Sequence, residues 1–294
     1  MRDFNYIEPS SIEEASRLLA DLEDEEVRVV AGGTALMLTM RQRMVQPGHL
    51  ISMARIERLH GIDFDSEKGL RIGSMTRHAD LARSSIVRSH YPVLASMAAR
   101  VANPQVRNQG TLGGNLCYAD PSTDPPTCLL ALDAQVVLGS VRGERIMPLS
   151  SFIVDYFETA IEPDELLVEI RVPPLPEGMS GVYSRFLRTA AEHRPLVSVA
   201  VVGQQNAHIC HDVRIAVGAS TPVPCRMPNV EALLKGNRID FDLAERAAAQ
   251  IAEDIEPLSD ARGSAEFRRQ MVRVVARRTI CEVFGLGNLS GGNE

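Results

Sequence analysis

Two glycine turns carry backbone groups that could bind an anion. The first, Ala31-Gly32-Gly33-Thr34-Ala35, follows a β-branched run, and the second is Thr111-Leu112-Gly113-Gly114-Asn115. Because glycine has no Cβ, successive backbone N–H groups in such turns can wrap anionic oxygens. A Gly-Gly pair is also an ordinary choice where a turn needs a positive φ angle. Neither turn matches the G-x-G-x-x-G or P-loop pattern, which disfavours a Rossmann or kinase-type nucleotide site. Two separate turns could instead grip both sides of one diphosphate.

An acidic residue nine positions after the second turn could extend such a site to a sugar. Asp124 lies in a proline-rich stretch and could accept a hydrogen bond from a ribose hydroxyl, as acidic residues do in dinucleotide sites. It could equally form an Asx turn before Pro125. The residues alone leave both interpretations open.

Composition narrows the other kinds of chemistry. The 31 basic and 38 acidic residues give a net charge of −7, so attraction to nucleic acid is not expected. The five cysteines are scattered without a C-x-x-C pair, and the seven histidines form no ligand pattern, so no metal site is predicted. No stretch is apolar enough to span a membrane and residues 1–10 lack the features of a signal peptide, which predicts a cytoplasmic protein.

Periodicity and β-branched runs predict a mixed chain of helices and strands. The first glycine turn is expected between a strand at 27–31 and a helix at 35–44. Strands are also predicted at 135–139 and 166–172, and a linker at 173–178. Beyond it, strands are predicted at 182–187, 197–202 and 213–217, followed by helices at 243–252 and 264–284.

The segment 103–126 contains the second glycine turn and is rich in glycine and proline. It has almost no amphipathic period, so a long segment without regular structure is expected there. Such segments inside compact domains are usually functional or disordered. The apolar residues that follow, 128–132, favour the functional interpretation.

Three motifs in this order resemble a known family. They are Ala31-Gly-Gly-Thr34 after a buried strand, Thr111-Leu-Gly-Gly-Asn115 with Pro121-Ser-Thr-Asp124 behind it, and Asp164-Glu-Leu-Leu-Val-Glu-Ile-Arg-Val-Pro173. The chain is similar in these motifs, and in length, to the FAD-binding medium subunits of molybdenum hydroxylases. This group includes the carbon monoxide dehydrogenase medium subunit and the flavin domain of xanthine dehydrogenase.

The resemblance implies an α+β fold with a two-part FAD-binding domain of the vanillyl-alcohol-oxidase (PCMH) type. A smaller C-terminal domain of antiparallel sheet plus helices, of the CO dehydrogenase flavoprotein type, would follow it. The expected boundaries are 1–176 for the first domain, with subdomains of about 1–55 and 56–176, then 177–286 for the second. Residues 287–294 would form a tail.

The resemblance also implies which residues hold the cofactor. The two turns would bind the diphosphate, Asp124 would lie on the ribose or adenosine side, Val101 would make an apolar contact, and Leu167 would lie beside the isoalloxazine ring. Arg185 stands where several relatives carry lysine near the flavin, which changes hydrogen-bond geometry. The full set of implied FAD contacts is Ala31, Gly32, Gly33, Thr34, Ala35, Leu36, Val101, Thr111, Gly113, Gly114, Asn115, Asp124, Leu167 and Arg185.

The implied function is electron transfer within a heteromeric molybdenum hydroxylase. FAD in this chain would take electrons from a small [2Fe-2S] subunit and deliver them to an external acceptor, while a large molybdopterin-binding subunit oxidises the organic substrate. No side chain of this chain is then required as a catalytic acid, base or nucleophile. A dimer of heterotrimers is the expected assembly. The alternatives are a stand-alone flavin-dependent reductase or oxidase on the same fold, and a non-catalytic adaptor that has lost the cofactor.

Overall fold

The amino-terminal part is a small parallel sheet with two helices. The computed structural model describes residues 3–189, 191–206 and 209–286. The strands pair in the order β1-β3-β2, and Val30 of β2 lies opposite Ser52 of β3. The predicted strand and helix on either side of the first glycine turn are both present, although the helix is shorter than predicted. The elements are β1 (Asn5–Ile7), α1 (Ile12–Asp21), β2 (Val27–Val30), α2 (Leu36–Arg41) and β3 (His49–Ser52).

The middle part is a five-stranded antiparallel sheet flanked by six short helices. Its strands pair in the order β4-β5-β10-β6-β7, and a separate pair, β8-β9, forms a hairpin. The elements are β4 (Ile62–Asp65), β5 (Gly69–Gly73), α3 (His78–Arg83), α4 (Ser85–His90), α5 (Pro92–Arg100), α6 (Pro104–Gln109), α7 (Leu112–Tyr118), α8 (Pro125–Ala131), β6 (Gln135–Ser140), β7 (Gly143–Pro148), β8 (Ile153–Asp155), β9 (Glu158–Thr159) and β10 (Leu166–Val172).

The expectation that 103–126 lacks regular structure is wrong. The segment contains α6, α7 and the first residues of α8. The Asn103 side chain accepts from the Val106 N–H at 2.9 Å, and the Thr111 hydroxyl accepts from the Gly114 N–H at 3.1 Å. Each helix is only six or seven residues long, too short to show an amphipathic period. Capping residues and proline in the first turn are the signals that identify these helices.

The carboxyl-terminal part is a four-stranded antiparallel sheet between two helical layers. Side chains alternate along β12: Val199 and Val201 pack with the carboxyl-terminal helices, whereas Ala200 and Val202 join the core of the middle part. The strands pair in the order β11-β12-β13-β14. The elements are β11 (Met179–Phe186), β12 (Val197–Asn206), β13 (Ile209–Gly218), β14 (Cys225–Arg226), α9 (Pro228–Leu234), α10 (Phe241–Asp254) and α11 (Ala265–Val283).

The sheets and helices give the α+β architecture that the resemblance implies. Residues 173–178 connect β10 to β11, where the sequence predicts a linker. The proposed tail, 287–294, lies outside the described residues. Among the helices that the structure describes, none is long and apolar enough to cross a membrane.

Candidate functional site

The first glycine turn presents unused backbone donors between β2 and α2. Gly33 has a φ angle of +69°, a conformation that favours glycine. Within the described residues, no protein oxygen accepts a hydrogen bond from the backbone N–H groups of 32–35. The turn therefore has the donors that an anionic oxygen requires.

The second glycine turn is built differently and corrects the expectation of two equivalent donor turns. The N–H of Leu112 donates to the Thr76 carbonyl at 2.9 Å, and that of Gly113 donates to the Ser74 carbonyl at 2.8 Å. The Asn115 N–H donates to the Thr111 carbonyl, and the Gly114 N–H to the Thr111 hydroxyl. This turn forms the beginning of α7 and uses most of its donors within the protein. What it offers a ligand is close approach of the backbone rather than a row of free N–H groups.

Gly113 shows why the second turn needs glycine. A Cβ on this residue would lie 2.5 Å from the Ser74 Cβ and 2.7 Å from its carbonyl oxygen. Ser74 in turn donates its N–H to the Val168 carbonyl of β10 at 3.0 Å. The second turn is thus tied through the end of β5 to the centre of the five-stranded sheet.

The two turns meet at one cleft. A Cβ on Gly114 would lie 3.3 Å from the Ala31 Cβ, so the turns approach within van der Waals contact. Residues 31–36 of the first turn and Thr111, Gly113, Gly114 and Asn115 of the second all line a cleft of about 490 Å³. Its volume lies in the range of small-molecule sites.

Part of the cleft lining is apolar. Leu167, which is buried at a bulge of β10, lines it together with Ile161 and Cys117. Tyr118 also lines it, and the Tyr118 ring packs edge-on against Phe157 at 5.1 Å between centroids. These walls are suited to a ring system, which gains stability from apolar and aromatic contact.

A second cavity adjoins the first across the glycine turns. It has a volume of about 500 Å³ and shares Ala31, Gly32, Met75 and Thr111 with the cleft. The glycine turns therefore contribute to the walls of two neighbouring spaces.

Three residues of the implied set do not line the cleft in the described structure: Val101, Asp124 and Arg185. Asp124 is 2 % exposed, and its Oδ1 accepts from the Tyr183 hydroxyl at 2.6 Å and from Arg185 Nη1 at 3.2 Å. Burial raises the pKa of this carboxyl, and the bonds from Tyr183 and Arg185 oppose that rise. Asp124 immediately precedes α8, but its side chain makes no capping bond to that helix. Its bonds to Tyr183 and Arg185 connect the middle part to β11. Val101 is buried after α5, in the core of the middle part.

The cleft also contains residues that sequence reasoning missed. Ser74 and Met75 line it from the connection between β5 and α3, His78 lines it as the first residue of α3, and Thr39 lines it from α2. Nothing in their local sequence marks them, because they reach the cleft through tertiary packing. Among the described residues, no group of three or more His, Cys, Asp or Glu side chains could hold a metal ion.

Known proteins share this fold and these sequence features. Residues 2–175 match the family described as "FAD binding domain in molybdopterin dehydrogenase", and residues 182–283 match "CO dehydrogenase flavoprotein C-terminal domain". The 6-hydroxypseudooxynicotine dehydrogenase complex subunit alpha of Paenarthrobacter nicotinovorans is 35% identical, over 95% of this chain and 94% of the relative. The carbon monoxide dehydrogenase medium chain of Hydrogenophaga pseudoflava is 33% identical, over 94% and 96%.

A solved structure agrees with the sequence relatives. A chain of carbon monoxide dehydrogenase from Hydrogenophaga pseudoflava superposes with a TM-score of 0.92 at 33% identity, covering 97% of this chain and 98% of that one. Similarity on this scale extends over almost the whole chain and not over the glycine turns alone. The chain therefore belongs to the family of FAD-binding flavoprotein subunits of molybdopterin dehydrogenases, alongside carbon monoxide dehydrogenase medium chains and xanthine dehydrogenase FAD-binding subunits.

Proposed function

We propose that this chain is the FAD-binding electron-transfer subunit of a heteromeric molybdenum hydroxylase. The observation that carries the proposal is the meeting of the two glycine turns at one cleft, with unused N–H donors on the first turn. A diphosphate presents oxygens that need such donors, and the apolar residues that line the same cleft suit a ring system attached to it. Family membership supplies the identity of the dinucleotide.

The residues present fit FAD by two features of the structure. The first turn leaves four N–H groups without a protein acceptor, which is costly unless water or a ligand accepts from them. The second turn lies close to the first at Gly114: a Cβ there would lie 3.3 Å from the Ala31 Cβ. Space beside the turns and unused N–H donors are both needed for a bound diphosphate.

Within this proposal the residues have separate roles. Residues 31–36 hold the diphosphate from one side, and Thr111, Gly113, Gly114 and Asn115 limit it on the other. Leu167 packs beside the isoalloxazine ring. Val101, Asp124 and Arg185 enter the proposed set through the resemblance alone, since the described cleft does not include them.

The chemistry belongs to the cofactor, and the chain holds it in place. Bound FAD supplies stepwise one-electron and two-electron redox chemistry. The proposed partners are a small [2Fe-2S] subunit that delivers electrons and a large molybdopterin-binding subunit that oxidises the organic substrate, arranged as a dimer of heterotrimers in the cytoplasm. The medium-chain names of the relatives support a complex of several subunits.

The test begins with the full chain freed of flavin. Titration with FAD, followed by flavin fluorescence, should show one site per chain, and riboflavin, which lacks the diphosphate, should bind far more weakly. Equal affinity for FAD and riboflavin would contradict the diphosphate assignment. Purification of the native complex should recover three different polypeptides, whereas turnover of an organic substrate by this chain alone would favour a stand-alone flavoenzyme.

Cys117 gives a second measurement of cleft occupancy. Cys117 is an exposed residue that lines the cleft, although desolvation raises the pKa of its thiol to about 12, so labelling is done at alkaline pH; Cys128 and Cys210 are buried. Bound FAD should slow alkylation of Cys117, measured by peptide mass spectrometry. The Cys117→Ser variant identifies the labelled peptide, and an alkylation rate that FAD leaves unchanged would place the ligand elsewhere.

A further inference from the structure

A histidine lies beside both glycine turns. His78 is the first residue of α3, and its backbone N–H donates to the Gly110 carbonyl at 3.1 Å. A Cβ on Gly110 would lie 3.4 Å from Cδ2 of the His78 ring and 3.3 Å from the Thr34 hydroxyl. The imidazole and the Thr34 hydroxyl therefore both lie near Gly110, and His78 lines the cleft that the two turns share.

The His78 ring is neutral near pH 7. The side chain is only 2 % exposed, and burial, together with the positive charge of Arg107, lowers its pKa to about 4. Arg107 itself donates to the carbonyls of Val101 and Ala102, and these bonds hold its guanidinium in place. A neutral imidazole carries one proton on one of its two nitrogens.

The surroundings of the ring decide which nitrogen carries that proton. Nδ1 is buried and has no hydrogen-bond partner in the described part of the chain. An N–H donor buried without an acceptor loses its hydration and gains nothing in return. The proton therefore belongs on Nε2, which leaves an Nε2–H donor on a ring that lines the cleft.

We propose that His78 is a further cofactor-binding residue, whose Nε2–H donates to an oxygen of the diphosphate held between the glycine turns. The inference rests on the proposed function, because it needs FAD in this cleft. The diphosphate is the favoured acceptor because the ring lies next to Gly110, just before the second turn, and Thr34 of the first turn lies near the same glycine. A purely structural histidine would instead bond a protein acceptor, and none is present among the described residues.

Two variants separate the donor from the volume of the ring. His78→Phe keeps an aromatic ring but has no donor, whereas His78→Gln places an amide N–H close to the position of Nε2. Loss of a hydrogen bond to a charged group corresponds to a dissociation constant for FAD weakened on the order of 10- to 100-fold. We expect this loss in His78→Phe and an affinity within about threefold of the wild type in His78→Gln. Equal affinity in His78→Phe and the wild type would overturn the inference.

Imidazole NMR tests the same claim on the unaltered full chain. With ¹⁵N-labelled histidine, and the signals of His78 identified by their loss in His78→Gln, we expect the Nε2–H tautomer in the flavin-free chain. FAD should shift the Nε2 resonance, and riboflavin should not. An Nδ1–H tautomer, or a resonance that FAD leaves in place while it binds, would contradict the role of His78. If the wild type binds no FAD at all, the proposed function itself fails, so the two failures are distinguishable.

Discussion

Gly32 and Gln109 bring the first turn against the segment that leads into the second. A Cβ on Gly32 would lie 2.2 Å from the carbonyl oxygen of Gln109 and 2.8 Å from Cα of Gly110. Both contacts are to backbone, which cannot rotate away as the end of a side chain can. The cleft therefore depends on glycine at this position for the approach of its two walls.

The first prediction follows from that contact. Gly32→Ala should lower the free energy of unfolding by about 1–3 kcal/mol, the usual cost of overpacking, because the added methyl must push two backbone segments apart. Gly48→Ala is a matched control, since a Cβ there meets nothing within 4 Å. Urea unfolding of both variants measures the difference. A Gly32→Ala variant as stable as Gly48→Ala would show that the two segments separate easily.

The second prediction concerns the bond that joins the middle part to the carboxyl-terminal sheet. Tyr183 is buried and its hydroxyl donates to Asp124, whose carboxylate also pairs with Arg185. Tyr183→Phe should lower stability by about 1.5–3 kcal/mol, because one hydrogen bond to a buried charge is lost. Urea unfolding gives this value, and a change below about 0.5 kcal/mol would mean that Arg185 alone satisfies the carboxylate.

Asp124→Asn separates this structural role from the proposed contact with FAD. The variant keeps the shape of the side chain but leaves Arg185 without its charge partner, so stability should fall as well. If Asp124 also contacts the cofactor, the dissociation constant for FAD should rise more in Asp124→Asn than in Tyr183→Phe. Equal FAD affinity in the two variants would remove Asp124 from the proposed set of contacts.

The local sequence predicts those parts of the site that depend on neighbouring residues alone. The β-branched run 27–30 forms a strand, the glycines after it form a turn, and the alternating residues of β10 form a strand that carries Leu167. The sequence could not show that the N–H groups of the second turn already have protein acceptors, because the carbonyls of Ser74 and Thr76 lie more than thirty residues earlier in the chain. In the same way Asp124 finds its partners on β11, about sixty residues later. Contacts between distant segments depend on how the sheets pack, and the hydrophobic periodicity of the sequence does not predict them.

The third prediction uses a buried carboxylate on β10, two residues after Leu167. Burial alone would raise the pKa of Glu169, but hydrogen bonds from Arg71, Arg171 and Arg58 lower it to about 2. A lowered pKa in the folded state means that the unfolded chain binds the proton more tightly. Stability from this group is therefore complete above about pH 4.5 and is lost as the pH falls toward 2.

Glu169→Gln should remove that dependence. The three arginines are a third or more exposed, so solvent screening reduces the contribution to about 1–2 kcal/mol. Urea unfolding at pH 6 and at pH 3.5 should show the wild type losing more stability than the variant between the two values. An equal loss of unfolding free energy in the two proteins between pH 6 and pH 3.5 would mean that the three arginines do not stabilise the ionised Glu169 carboxylate to this extent.

The fourth prediction concerns His78, whose charged form is disfavoured in the folded chain, whereas the charged form of Glu169 is stabilised. The folded-state pKa of His78, about 4, lies below the value of 6.5 for an unperturbed histidine, because burial and Arg107 disfavour the charged ring. The unfolded chain therefore binds a proton between these two values while the folded chain does not. Stability should fall as the pH drops from about 6.5 to about 4, by on the order of 3 kcal/mol, and this contribution should then level off.

The His78→Gln variant has no titrating group at this position, so it should lose less stability than the wild type between about pH 6.5 and about pH 4. Urea unfolding at pH 7, 5.5 and 4.5 measures the difference. Saturating FAD should narrow the pH range over which the wild type loses stability. A diphosphate beside the ring favours the protonated imidazole and so raises its folded-state pKa. An identical pH dependence in wild type and variant would mean that the ring is protonated, or hydrated, in the folded chain.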